Sequence, residues 1–446
     1  MQQHPVDTLL TTELTDSVCC LAMFVDVERW PSPGAAWKPG PLPISLPGRL
    51  NPGARQGGAQ VTDRAARSTM ISKRVRDVVF GSEEHPEAVR LHAAIQQPSG
   101  FGDWLLGAVE IIRRPSDVEG SAGSAVPIVV ILHFSGTPAD VPEAVYALVR
   151  SANKGPSVPK QGMPEVWALM ENMGLRFRTA PHSIRALTHI IRPDRNGPTL
   201  QDQKDEDYRL LWSLAAATPR PVALPARDDR SRQLTLSADW QGLVLRDGAA
   251  FVSVRNEASG YEEFARVYCR SIYIDALVLA SFQLEAATQL ADRTQALISD
   301  SPSIESLAGE RKAMLRFRGR LWWAHVSDRA SIVDQIVRDF QVQHHLPALV
   351  DQVVQDLGDI TDYLASEEML LKAGREESRQ RAEARMTSVL GLFATVLVVP
   401  SLVIGFTQLA VAPSWTTVAV AVATSASLTL IALLVIRTVA RRQWLG

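Results

Sequence analysis

From Met386 to Val435 the chain holds no Asp, Glu, Lys, Arg or His. A helix of a water-soluble core keeps one polar side, and this run offers none. It is also too long for a single membrane crossing, and it divides at Ala410-Val-Ala-Pro-Ser-Trp415, where Pro413 favours a turn and Trp415 an interfacial anchor. The halves, 388–408 and 416–436, are about 21 residues each, which at ~1.5 Å per residue spans the ~30 Å hydrocarbon layer. The expected element is a C-terminal two-helix transmembrane hairpin over 386–436. Two crossings leave both flanks on one side. Arg379, Arg381 and Arg385 precede the first span, and Arg437, Arg441 and Arg442 follow the second, whereas the connection has no Lys or Arg. This bias places both termini in the cytoplasm, the protein in the inner membrane, and 437–446 as a basic cytoplasmic tail.

The part before the membrane is long enough for a real core. The whole chain carries a net charge of −2, and the three tail arginines contribute positively, so the preceding part carries about −5 and shows no compositional basic patch. Nucleic acid is therefore excluded as the expected partner. The three cysteines, Cys19, Cys20 and Cys269, have no C-x-x-C spacing and suit reduced, cytosolic thiols. Glu13 and Asp16 interrupt the N-terminal region, so membrane insertion is expected to depend on the C-terminal spans.

Residues 1–255 read as a cytoplasmic α/β domain. Strands are expected over 18–25, 104–112 and 126–134, all rich in β-branched residues. Between 30 and 58 lie seven prolines and several glycines, a composition that suits an exposed loop. Amphipathic helices are expected over 141–152, 164–173, 184–191 and 207–216, followed by a hairpin of 233–238 with 242–254 turned around Trp240. Interleaved strands and helices imply a layered α/β domain ending near Arg255.

From Tyr261 the pattern is helical, and 256–385 reads as a long-helix stalk. Leu277, Ala280, Leu284 and Ala287 share one stripe, and Met314, Phe317 and Leu321 resume it after Ser301-Pro302. The sharpest pattern is Leu346, Val350, Val353, Leu357, Ile360 and Leu364, which alternate steps of four and three as an a/d seam. Pro347 suits a first turn, and the next proline is Pro400. One helix of roughly 60 residues, ~90 Å, is expected to run from about Pro347 into the first span. Its seam needs cover from the two preceding helices or from further copies of the chain.

This order of parts resembles the CorA family of divalent-cation channels and transporters. The resemblance covers 261–446 in order and spacing, and the earlier part in fold class. Its most specific pieces are Val399-Pro400-Ser-Leu-Val-Ile-Gly405, similar to the family's Pro-Leu-Thr followed by Gly, and Arg441-Arg-Gln-Trp-Leu445, similar to its basic Trp-Leu ending. The resemblance implies a homopentamer whose first span lines a pore. The chain departs where the family's Gly-Met-Asn signature belongs, having Phe406-Thr407-Gln408 there, and the outer loop has no acidic residue. Magnesium selectivity is therefore not part of the expectation.

Under that resemblance Ser388, Thr395, Gly405, Thr407 and Gln408 are the candidate pore-lining residues, since rings of hydroxyls or amides can hold a hydrated ion. Pro400 is a candidate kink or gate, though neighbouring helices also accommodate prolines for packing alone. Asp356, Asp359 and Asp362 step by three along the stalk and are candidate carboxylates for a regulatory divalent cation, against the plainer reading of a solvated flank. Trp322-Trp323 and His344-His345 read as bundle packing and a helix turn, and His133 as a strand histidine with no metal-spaced partner nearby. No phosphate-binding loop, H-E-x-x-H or G-x-S-x-G occurs, so no enzyme activity and no cofactor are expected. The expected function is a CorA-like ion channel or transporter, open to metal ions and gated by its cytoplasmic domain. The alternative is a membrane-anchored sensor or effector that uses the hairpin without cation selectivity.

Overall fold

The computed structural model describes residues 17–45, 61–114 except 63 and 83, 126–155, 163–192, 200–219, 233–254 except 238 and 239, 261–299, 303–410 except 324, and scattered positions between 415 and 437. The chain forms two compact units, 1–360 and 361–446.

The first unit is built on a nine-stranded mixed sheet. Its strands are β1 (Ser17–Val27), β2 (Lys38–Pro39), β5 (Arg90–Phe101), β6 (Trp104–Arg113), β7 (Val126–Gly136), β8 (Ser183–Arg192), β9 (Leu234–Ser237), β10 (Trp240–Leu245) and β11 (Gly248–Val254). The order is β2-β5-β6-β7-β1-β8-β11-β10-β9, antiparallel throughout except for the parallel β8–β11 pair. A separate two-stranded ribbon joins β3 (Ile44–Ser45) to β4 (Val61–Thr62). β1 lies at the centre, which explains why its residues are apolar on both faces rather than alternating.

One face of the sheet carries Leu21, Met23 and Val25 against α3 (Val141–Asn153), α4 (Pro164–Asn172) and α5 (Leu200–Ala215). Asp140 caps α3 by accepting from the Glu143 amide, and prolines start α3 and α4 where a missing N–H costs nothing. The opposite face meets α1 (Arg64–Met70) near its first edge. It also meets α6 (Tyr261–Tyr268), a π-helical turn Cys269–Tyr273 and α7 (Ile274–Ser299). Phe24 of β1 packs edge-on against Phe282 of α7 at 6.1 Å between ring centres. Four more helices are α2 (Lys73–Phe80), α8 (Ile304–Arg320), α9 (Ser331–Gln343) and α10 (Leu346–Ala410). Ser303 and Ser306 cap α8 reciprocally.

Three expectations need correction. Residues 184–191 form strand β8, not a helix: Ile184, Thr188, Ile190 and Ile191 are β-branched, and the slot between β1 and β11 is buried on both sides. The segment 242–254 is not one strand but parts of β10 and β11, reversing at Arg246–Asp247, and Trp240 starts β10 rather than forming the turn. The proline-rich segment is no exposed loop as far as Ser45, since Trp37, Leu42 and Ile44 are buried. The Trp37 indole donates to the Met173 carbonyl at 2.8 Å, the Gly40 amide to the Arg90 carbonyl at 2.9 Å. Residues 46–58 lie outside the described residues.

Gly248 begins β11 where a β-carbon would stand 1.9 Å from the Ala186 carbonyl oxygen. The parallel β8–β11 pairing therefore depends on glycine at this position. Gly248→Ala is expected to destabilise the protein by about 1–3 kcal/mol, measured by chemical denaturation; a change within experimental error would show that the strands can part at no cost.

Helix α10 is 65 residues long and unbroken, as the a/d pattern and the gap between Pro347 and Pro400 imply. Leu346, Val350, Val353, Leu357 and Ile360 are all buried within one chain, so the first part of the seam is covered by the first unit itself. From Ala365 to Gly391 every residue is exposed, Met369 and Leu370 at 72% and 73%. The described residues between Trp415 and Arg437 are helical. Among the described residues one helical stretch, Phe264–Ser299, is long and apolar enough to cross a membrane, but 89% of its apolar window is buried inside the protein. It is the core helix on which the sheet packs.

Candidate functional site

The sheet face opposite α3–α5 carries a group of buried ionisable side chains. Arg90 opens β5, Glu110 lies within the apolar run of β6, His133 on β7 and Cys20 on β1. Arg67 comes from α1, Arg270 from the π-helical turn and Asp275 from the first turn of α7. Strand register brings the sheet members together, because Cys20 stands opposite His133 and Ala108 opposite the same histidine after a bulge between Leu106 and Ala108.

Glu110 is the hub. Its Oε2 accepts from Arg90 Nε at 2.9 Å and from the Leu42 amide at 2.8 Å, and Oε1 lies 2.9 Å from His133 Nε2 and 3.7 Å from Arg67 Nη1. Arg90 Nη2 bridges Glu110 Oε2 and Asp275 Oδ1, each at 2.8 Å, and Arg67 Nη1 reaches Asp275 Oδ2 at 3.4 Å. Arg67 also donates to the Leu42 carbonyl at 2.8 Å, and the Arg90 guanidinium lies over the Phe80 ring. Burial would raise the Glu110 carboxyl, but Arg90 and Arg67 override it and hold the group well below the usual carboxylate range. Burial pushes His133 down despite its bond to Glu110, so the imidazole stays neutral.

Cys20 Sγ lies 3.4 Å from His133 Nδ1, completing a Cys–His–Glu chain with the connectivity of a nucleophilic triad. Its electrostatics run the other way. Burial raises the Cys20 thiol far above its ordinary range, so the nucleophilic thiolate is suppressed, and all three side chains are fully buried. The arrangement cannot receive a substrate. What it does is tie α1, the 38–45 segment, three strands and α7 through two carboxylates, Glu110 and Asp275, bridged by Arg90 and Arg67. His133 thus has partners after all, from residues far apart in sequence. The legible signal was a carboxylate and a histidine within two apolar strands, each of which must find a partner when buried.

A second polar group sits at the partly exposed end of the sheet. Arg114 pairs with Glu285 of α7 and lies 3.7 Å from Asp26 Oδ1, while His182 Nε2 is 2.8 Å from Glu285 Oε1. This is a second tie between the sheet and α7.

The residues singled out for the membrane segment lie on α10. Ser388 is exposed, Gly405 is half-buried, and Thr395, Pro400, Thr407 and Gln408 are in helical backbone whose side chains lie outside the described residues. Asp359 and Asp362 are exposed and Asp356 is half-buried on the same helix. Among the described residues of a single chain, no group of three or more His, Cys, Asp or Glu is placed to hold a metal ion. Trp323 is buried and Trp322 packs against Phe317. His344 Nε2 lies 3.1 Å from the Arg246 carbonyl, and His345 takes a positive φ of 52° at the joint between α9 and α10.

No protein-family model matches the chain, and no curated protein does. Among solved structures, that of the full-length CmaX protein aligns over 59% of this chain and 94% of its own, at 14% identity and a TM-score of 0.18, too low to indicate a shared fold.

Proposed function

We propose that this protein is a homo-oligomeric, CorA-like ion pathway in the cytoplasmic membrane, anchored by a hairpin over 386–436 and gated by the α/β domain. The observation that carries the reading is the unbroken course of α10 from a buried seam into a charge-free stretch. A helix exposed on every side from Ala365 to Gly391 gains too little from propensity alone to persist in water, so it needs neighbours. Apolar side chains farther on are also exposed in one copy, among them Trp415 at 91%, Val420 at 63% and Leu430 at 61%. Lipid and neighbouring copies are the surroundings that suit them.

In this reading Ser388, Thr395, Gly405, Thr407 and Gln408 line the pathway, Pro400 shapes it, and Asp356, Asp359 and Asp362 are where a regulatory divalent cation would bind between copies. With hydroxyls and amides in place of carboxylates at the outer mouth, attraction for cations is weak. No catalysis is assigned, because the triad-like arrangement found among the described residues is sealed. Ion flux into proteoliposomes is the test. Thr395→Trp is expected to lower it at least tenfold while the oligomer persists. A purified wild-type protein that is monomeric and passes no ion under any gradient would overturn the proposal.

One feature favours a second reading, a membrane-tethered sensor. Phe406-Thr407-Gln408 lacks the family's signature, and unit 1–360 has its own core. A sensor truncated before Met386 keeps its ligand affinity in solution; a channel so truncated conducts nothing.

A further inference from the structure

We infer that neighbouring copies of this chain meet head to tail, the basic outer face of α8 in one copy lying against the acidic outer face of α10 in the next. The inference rests on the oligomeric reading above and names the surfaces that would build it.

The seam of α10 cannot serve as the whole contact, since Leu346 to Ile360 are already covered within one copy. What α10 leaves outward in that region is its other side. Asp351, Gln355 and Asp359 are exposed there, with Val354 at 42% exposure beside them, and a β-carbon on Gly358 would meet nothing within 4 Å.

Helix α8 shows the complementary pattern. Leu307, Met314 and Phe317 face inward and Glu310 is bound to Arg293 of α7 at 3.1 Å, which orients the helix. Its outer side carries Ile304, Ala308, Arg311, Leu315 and Arg318, spaced by four and three, with Lys312 beside them. Ile304 and Leu315 are 64% and 69% exposed and lie on the same stripe as Arg311 and Arg318. Spacing of this kind on the outside of a helix is what a second helix packs against.

The two faces match in charge. Arg311, Lys312 and Arg318 oppose Asp351 and Asp359, the latter committed in this arrangement to the basic face rather than to a divalent cation, and each face adds an apolar side chain, Leu315 and Val354. Because they lie on different helices of the same chain, every copy presents one of each. Used head to tail, such a contact is heterologous and its repetition closes a ring, whereas two copies that offered both faces to each other would stop at a pair, an outcome that cross-linking distinguishes. Complementary charge of this kind fixes register and partner choice.

The test uses the full chain in detergent, with oligomer mass read by native mass spectrometry. Arg311→Glu with Lys312→Glu and Arg318→Glu is expected to lower the association constant by roughly tenfold or more, and Asp351→Lys with Asp359→Lys to do the same. Combining both sets restores the oligomer. A second measurement guards against misfolding: Leu315→Cys with Val354→Cys should give, on oxidation, a covalent ladder extending beyond the dimer, the three native cysteines being buried. Reversals that leave the oligomer intact, reversals that are not rescued in combination, or cross-linking that stops at the dimer each overturn the inference. If the basic-face reversal abolishes binding to anionic vesicles but not assembly, that face serves lipid headgroups instead. A wild-type monomer, by contrast, removes the oligomeric reading itself.

Discussion

Replacing Glu110 with alanine is expected to cost about 3–5 kcal/mol of stability, a large fraction of the ~5–15 kcal/mol typical of a folded protein. Arg67 and Arg90 would then keep their contacts with Asp275 but lose those with Glu110, and the Leu42 amide would lose this acceptor. Breaking a buried ionic group by removing one member is costly because the desolvated charges left behind cannot be rehydrated. Glu110→Gln keeps the shape and some hydrogen bonds but not the charge, and should fall between alanine and wild type. Denaturant titration of the full chain reads both, and pairing Glu110→Leu with Arg90→Met should cost less than the two single changes summed. An alanine variant within about 1 kcal/mol of wild type would mean that the interior tolerates its arginines without this hub.

The long elements were legible because their signals are local. Steps of four and three from Leu346 to Ile360 and the absence of proline between 347 and 400 are enough to specify one rod, and α10 is that rod. β1, β6 and β7 were legible from unbroken apolar, β-branched runs. β8 departs from the helix expected over 184–191 because Ile184, Leu187 and Ile191 also fit helical spacing, and burial on both faces erases the alternation that marks a strand. β5 carries Gln96, Gln97 and Pro98 at an irregular register between Ala94 and Ser99, which breaks any pattern. The ionic group was illegible as a group. Arg67, Arg90, Glu110, His133 and Asp275 span more than two hundred residues, and the strand order that unites them is set by long-range pairing rather than by local propensity.

His189 is expected to make stability depend on pH in the mildly acidic range. It is fully buried on β8, with Nε2 at 2.8 Å from Ser253 Oγ and Nδ1 without a hydrogen-bond partner among the described residues. Burial, aided by the nearby Arg266 cation, pushes its imidazole down to about 3 from an ordinary 6.5. Between those values the unfolded chain binds a proton that the folded chain refuses, so stability is full above pH 6.5 and falls as pH drops toward 3, by up to ~1.4 kcal/mol per pH unit. From pH 6.5 to 5 the expected loss is ~2 kcal/mol. His92, His133, His182 and His344 are also pushed down, chiefly by burial, and tilt the curve the same way. His189→Gln can keep the bond to Ser253 and has no proton to take up, so its stability should lie lower at neutral pH but decline less steeply on acidification. Denaturation midpoints of the two proteins at pH 7.5, 6 and 5 decide the matter: parallel slopes would place the acid sensitivity elsewhere, and a flatter slope in the variant assigns it to this one buried ring.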